Sequence, residues 1–289
     1  NYSCNCSYYN FTYSFSLAQH TNIYKTLIMS KNLNKLFFYI YTGCMVAFVM
    51  TPLICVGLMS FSPSRFLTFP FKKNPSMKWF NEVFSSMAIQ EAVILSLLIG
   101  IVVVIISVVF ATFGALAFAR YSFKGQSIYQ KLIMLPIFFP QGVLGLGLLL
   151  WFNVLGIPLS WKTAAIGHLV WLTPIVTLII SIRAFSYDPK LEAAASDLGA
   201  SKRQVFFTVT LPMLAPGIFS GGLFAFLLSW VNFPITLYTS GVDTPAPLWI
   251  FSKMAVTFTP TAPALGFTVF LFSLIVLVPT FIFLRPKSV

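Results

Sequence analysis

Charge is scarce in this chain. Of its 289 residues 8% are charged, against about 25% in an ordinary soluble domain. Six residues are acidic, and of these only Glu91 lies beside a long apolar run. No chain of acidic or basic residues passes through the apolar runs, which is what proton- or sodium-driven transporters use. No Gly-x-x-x-x-Gly-Lys-Ser/Thr loop occurs, so ATP is not expected to bind by that route. No Ser/His/Asp or metal-ligand constellation stands out, so neither a catalytic nor a metal-binding residue is assigned and enzymatic activity is not expected. The four cysteines fall at Cys4 and Cys6 and at Cys44 and Cys55, spacings of neither a metal site nor a disulfide framework. Cys44 and Cys55 read as small apolar residues of a helix. Internal repeats, low-complexity tracts and a soluble domain are also missing.

What the chain has is apolar length. Hydrophobic residues make up 58%, with 32 phenylalanines, which describes a polytopic, all-α membrane protein rather than a soluble core. Six spans are expected: Leu36–Ser60, Ala92–Ala119, Leu132–Phe152, Thr163–Ile182, Pro216–Leu237 and Ala264–Leu284. Each is long enough to cross about 30 Å of hydrocarbon at 1.5 Å per residue. The net charge of +12 is scattered between these runs, which fits membrane topology better than a nucleic-acid partner.

Taken in order, residues 1–28 lack the basic start and apolar core of a signal peptide. Met29 opens a short basic head (Met29-Ser30-Lys31-Asn32-Leu33-Asn34-Lys35), so residues 1–28 are expected to be non-native upstream sequence or a disordered extension. Residues 29–289 then form one transmembrane domain. Pro52 is a candidate kink in the first span. Residues 61–88 read as a polar, proline-containing loop. The third span carries Pro136 and Pro140 with Gly142, Gly145 and Gly147, the composition of a tightly packed or broken helix. Trp151, Asn153, His168 and Asn232 are pathway candidates by polarity and position. An intramembrane His is alternatively a hydrogen-bonded structural residue. Residues 238–263 read as a proline-rich connection.

The longest water-compatible run in the second half is Asp188–Pro212. Asp188 and Pro189 suit a helix start, and Leu191, Ala194, Ala195 and Leu198 recur at helical spacing. Gly199 can take positive φ and stop that helix. Ser201 then caps a second helix through Val209, which Pro212 closes. The small face of Ala193, Ala194, Ala195, Gly199 and Ala200 permits close approach of another protein, and Lys202 and Arg203 make the tip basic. An amphipathic pair lying on lipid headgroups is the alternative.

This run resembles the EAA loop of permease subunits of binding-protein-dependent ABC importers. It matches at Ala194, Ala195, Asp197, Leu198, Gly199, Ala200, Ser201, Leu211 and Pro212. Counted back from Gly199, the family's Glu falls on Ala193, and the chain's Glu is its neighbour Glu192. The end of the second span, Ala117 to Gly125 with Arg120 and Tyr121, resembles the family as well.

The resemblance implies a type I ABC importer permease fold of six transmembrane helices. It also implies that residues 188–212, including Glu192, Ala193 and Ala195, insert into a cleft of an ATPase subunit that binds ATP and Mg. A second permease and an extracytoplasmic solute-binding protein complete the implied assembly, in a bacterial cytoplasmic membrane. Twelve of the Lys and Arg residues fall inside, against six outside, if both termini are cytoplasmic. That orientation also puts the 188–212 loop inside.

Within the family the layout is most similar to the spermidine/putrescine permeases. The fifth span nevertheless offers Asn232 and Phe233 but no carboxylate for a polyamine cation, so an amino acid, organophosphonate or thiamine-like solute stays open. A secondary transporter or channel working without an ATPase is the alternative of another class.

Overall fold

The computed structural model describes residues 35–65, 74–122, 124–256 and 259–283. Residues 1–28 and all of the basic head but Lys35 fall outside the described residues. Among the described residues every regular element is helical.

The chain divides into two units, Asn1–Leu58 and Met59–Val289. Helix α1 (Lys35–Ser60) belongs to the first unit except for its last two residues and runs through Pro52 without interruption. The thiols of Cys44 and Cys55 are free.

The second unit begins with an amphipathic helix, α2 (Lys78–Ser85), inside the stretch expected to be a loop. Phe80 and Val83 face inward, and they pack with Ile89, Ala264 and Leu265. The Trp79 indole N–H donates to the Ser62 carbonyl at 2.7 Å. Three long helices form the centre: α3 (Met87–Arg120), α6 (Trp161–Ser186) and, further on, α9 (Leu211–Trp230). They meet through short side chains, with Ala111, Ala115, Ala184 and Ala225 packed around Val176, Ile180 and Leu214. Lipid provides no hydrophobic drive between helices, so close backbone approach and dispersion hold such a core. Hydroxyls inside the helices are satisfied locally: Thr112 donates to Val108 O, Thr177 to Thr173 O and Ser181 to Thr177 O.

The third span is broken, one of the two readings its composition allowed: α4 (Gln126–Phe138) and α5 (Gln141–Val154) meet at a bend of 104°. Pro140 explains the bend: it supplies no N–H and holds Phe139 extended, at φ −78° and ψ 134°. Among the described residues five helices are long and apolar enough to cross a membrane, and six spans result if the bent pair counts as one.

The second helix of the 188–212 run, in turn, is not closed by Pro212. It starts as α8 (Lys202–Val205), passes through a π-helical turn at Phe206–Thr210 and continues into α9. The wider turn lies directly before Pro212, where a missing N–H breaks the ordinary ladder.

Lastly, the fifth span ends at Trp230 rather than Leu237. A break at 231–233 leads into the short helix α10 (Pro234–Thr239). The connection expected at 238–263 contains a further helix, α11 (Ala246–Val256), before α12 (Thr261–Phe283).

Candidate functional site

The 188–212 run folds as a compact helical hairpin at one end of the bundle. The Asp188 side chain accepts from Lys190 N at 2.9 Å and starts helix α7 (Lys190–Asp197). Gly199 stops it, at φ +87°. Gly199 N donates to Ser196 O at 2.9 Å and Ala200 N to Ala195 O at 3.1 Å, the paired bonds of a Schellman ending. Ser201 and Gln204 then cap α8 reciprocally. Of the expected contact residues, Ala193, Ala194, Asp197, Leu198 and Gly199 are exposed, while Ala195 and Ala200 are half-buried. Leu198 projects most, at 90% exposure. Leu211 and Pro212 lie about three turns along the continuing helix, away from this face.

Glu192 faces the bundle. Its Oε1 accepts from Tyr187 Oη and, at 2.8 Å, from Thr210 Oγ1. Tyr187 directly follows α6, and Thr210 directly precedes α9. The Arg120 guanidinium lies 4.1 Å from the Tyr187 ring centroid and donates to the Tyr187 carbonyl at 3.2 Å. Burial first, then the Glu192 hydrogen bond, raise the Tyr187 pKa above its ordinary value, with Arg120 opposing. The phenol therefore stays a donor through neutral pH. A cleft of about 440 Å³ opens beside these groups, lined by Arg120, Glu192, Ala193, Ser196, Lys202 and Thr210 among others.

At the other end of α6 two helix breaks face each other. Asn232, in the break after α9, donates from Nδ2 to Gln141 Oε1 at 3.1 Å, across the break before α5. Its Oδ1 accepts from Ile235 N at 3.1 Å and so caps α10. His168 is buried, with Nδ1 2.8 Å from Ser229 Oγ and Nε2 2.9 Å from Thr236 Oγ1. The Thr236 hydroxyl proton is already donated to Asn232 O, so Thr236 must accept from Nε2–H and Ser229 must donate to Nδ1. His168 thus joins α6, α9 and α10 with both nitrogens satisfied. Helix α10 fits between α5 and α6 because glycine faces it on both sides. A Cβ on Gly145 would come within 3.1 Å of Pro234 O, and one on Gly167 within 2.7 Å of Ile235 Cγ2. Nearby, Asp243 accepts from Trp161 N at 2.7 Å at the start of α6, the helix end that favours negative charge.

Of the four pathway candidates, Asn232 and His168 therefore come together in this joint, whereas Trp151 and Asn153 lie exposed on α5. Sequence reasoning did not reach Gln141, Tyr187 or Thr210. The Tyr187-Asp188-Pro189 junction carried a usable signal, an aromatic donor five residues before a loop's single Glu.

Residues 107–285 match the family described as binding-protein-dependent transport system inner membrane component. The chain is 32% identical over 227 residues to the putrescine transport system permease protein PotI of Escherichia coli (strain K12), covering 76% of this chain and 80% of that protein. It is 29% identical over 234 residues to the spermidine/putrescine transport system permease protein PotC of Haemophilus influenzae, covering 80% and 90%. In fold it is similar to a chain of a bacterial ABC transporter involved in the import of the acidic polysaccharide alginate. There the TM-score is 0.67 at 14% identity, over 90% of this chain and 98% of that one.

Proposed function

The chain belongs to the family of binding-protein-dependent transport system inner membrane components, the permease subunits of ABC importers, and from that premise we propose that it passes a polyamine across the bacterial cytoplasmic membrane, driven by ATP hydrolysed in separate subunits docked on residues 188–212. As a multi-pass permease it is a pore-forming subunit. ATP and Mg belong to the docked ATPase, a periplasmic binding protein delivers the solute, and a second permease, identical or different, completes the pore. Both termini lie in the cytoplasm, the side on which the ATPase meets the loop.

The observation that carries the docking reading is the exposed apolar and small-residue surface of α7, with Leu198 standing clear of the protein on a rigid Schellman turn. Leu191, Ala193, Ala194 and Leu198 are exposed together on this short hairpin, a grouping that a cleft in another protein would cover. The substrate class rests on the similarity to the putrescine permease PotI and the spermidine/putrescine permease PotC. In the pathway, Trp151 and Asn153 face the solute from α5, while Asn232 and His168 hold the joint that must open for it. Aromatic faces attract alkyl-ammonium cations without a carboxylate, which answers the shortage of acidic side chains.

Reconstitution of the chain with its ATPase, second permease and binding protein in proteoliposomes tests the reading. ATP-dependent uptake of radiolabelled putrescine is expected. Putrescine flux of equal size without ATP would instead establish a secondary transporter or channel.

A further inference from the structure

We infer that Glu192 is a positioning residue that ties the docking helix α7 to α6 and α9, so that the three move as one body, and that it is not the residue presented to the docked ATPase. The inference rests on the coupling-loop reading above and adds to it the route by which loop motion reaches the pathway.

The geometry is specific. One carboxylate oxygen takes two hydroxyl protons, from Tyr187 at the end of α6 and from Thr210 at the start of α9. Both donors are buried, so losing their acceptor would strand them. Arg120 seats Tyr187 from the end of α3. The exposed residues of α7 and its C-cap are Lys190, Leu191, Ala193, Ala194, Ser196, Asp197 and Leu198, while Glu192 is half-buried against the bundle.

The two tied helices are the ones that reach the joint. At 1.5 Å per residue, His168 lies about 27 Å from the α7 end of α6, and Ser229 a similar distance along α9. There His168 links α6 to α9 and α10, and Asn232 links the break to Gln141. A displacement of α7 is therefore delivered to both helices at one end and arrives at the break at the other. Without the tie, α7 would pivot about its connections at 187–189 and 198–201, and the two helices would receive little of its motion.

The test uses the full complex, purified through a C-terminal tag on this chain and reconstituted with binding protein, with putrescine as probe. Uptake per ATP hydrolysed is the readout, and retention of the ATPase is the control. Glu192→Ala is expected to retain the ATPase and its hydrolysis while uptake per ATP falls roughly tenfold, the scale of losing two hydrogen bonds. Glu192→Gln is expected to keep at least half of parental coupling, because an amide oxygen in the Oε1 position accepts the same two protons. Tyr187→Phe combined with Thr210→Val removes the donors and leaves the carboxylate. It should reproduce Glu192→Ala, and it decides the matter if Glu192→Ala does not fold. Normal coupling in the double variant, or a Glu192→Gln protein as defective as Glu192→Ala, would overturn the inference and make Glu192 a charged contact of the ATPase. A parent complex that retains no ATPase overturns the importer reading and this inference with it.

Discussion

Replacing Gly199 by Asp separates the folding of the loop from its docking. Gly199 has φ +87° and its turn is held by backbone bonds, which any residue can make. A Cβ built there meets no atom within 4 Å, so the side chain does not obstruct the turn itself. The folding cost is that of a left-handed residue, roughly 1–2 kcal/mol and less for Asp. A carboxylate at the C-terminal end of α7 adds about 0.3–1 kcal/mol. Six spans do not depend on a local cost of this size, so membrane insertion should be unchanged. Docking fares worse, because the carboxylate stands beside Leu198 on the surface to be covered. An unpaired charge buried there costs about 3–5 kcal/mol, a loss of more than a hundredfold in affinity at about 1.4 kcal/mol per decade. Gly199→Ala carries the conformational cost alone and should stay within roughly tenfold of parental uptake. The assay is ATP-driven putrescine uptake in vesicles, with immunoblots for insertion. Parental uptake by Gly199→Asp, or a Gly199→Ala protein as inactive as Gly199→Asp, would refute the reasoning.

Ala193→Glu places a carboxylate on the cleft lined by Arg120 and Lys202 and restores the family's acidic position; ATPase retention on co-purification should equal or exceed that of the parent. His168→Ala removes two hydrogen bonds between helices and leaves a cavity, together about 2–3 kcal/mol. It should lower the melting temperature of the detergent-solubilised protein without shifting the half-saturating putrescine concentration. Asn232→Leu leaves Gln141 and the start of α10 without their partner, a cost of about 1–2 kcal/mol. Slower uptake with unchanged ATPase retention is expected, and flux assays on the co-purified complex check it.

Local signals survived into the structure and non-local ones had to be seen. Gly199 and Ser201 were legible because a positive φ and a capping hydroxyl act within a few residues. The apolar runs were legible because a bilayer imposes length. Pro212 misled: it lies in the first turn of α9, just after the π-helical turn at Phe206–Thr210, and the helix runs on through it. Pro136 and Pro140 made a broken helix one reading of the third span, but the size of the bend, 104°, depends on what the two halves pack against. Asn232 was noticed as a polar residue in a span, yet its partner Gln141 lies 91 positions away. His168 likewise finds Ser229 and Thr236 at separations of 61 and 68. Glu192 was counted with the docking residues as the neighbour of Ala193, where the motif register puts the family's Glu, and only its hydrogen bonds to Tyr187 and Thr210 reveal its inward contacts.

In the proposed assembly the 188–212 loop docks an ATPase that drives this permease. The most direct measurement is to solubilise the membrane in mild detergent, purify the parent chain through its C-terminus, and identify what comes with it. An ATPase subunit carrying a P-loop, in stoichiometric amount and hydrolysing ATP, is the predicted result. Intact parent chain with no such subunit, together with putrescine flux persisting in ATP-free vesicles, would contradict it.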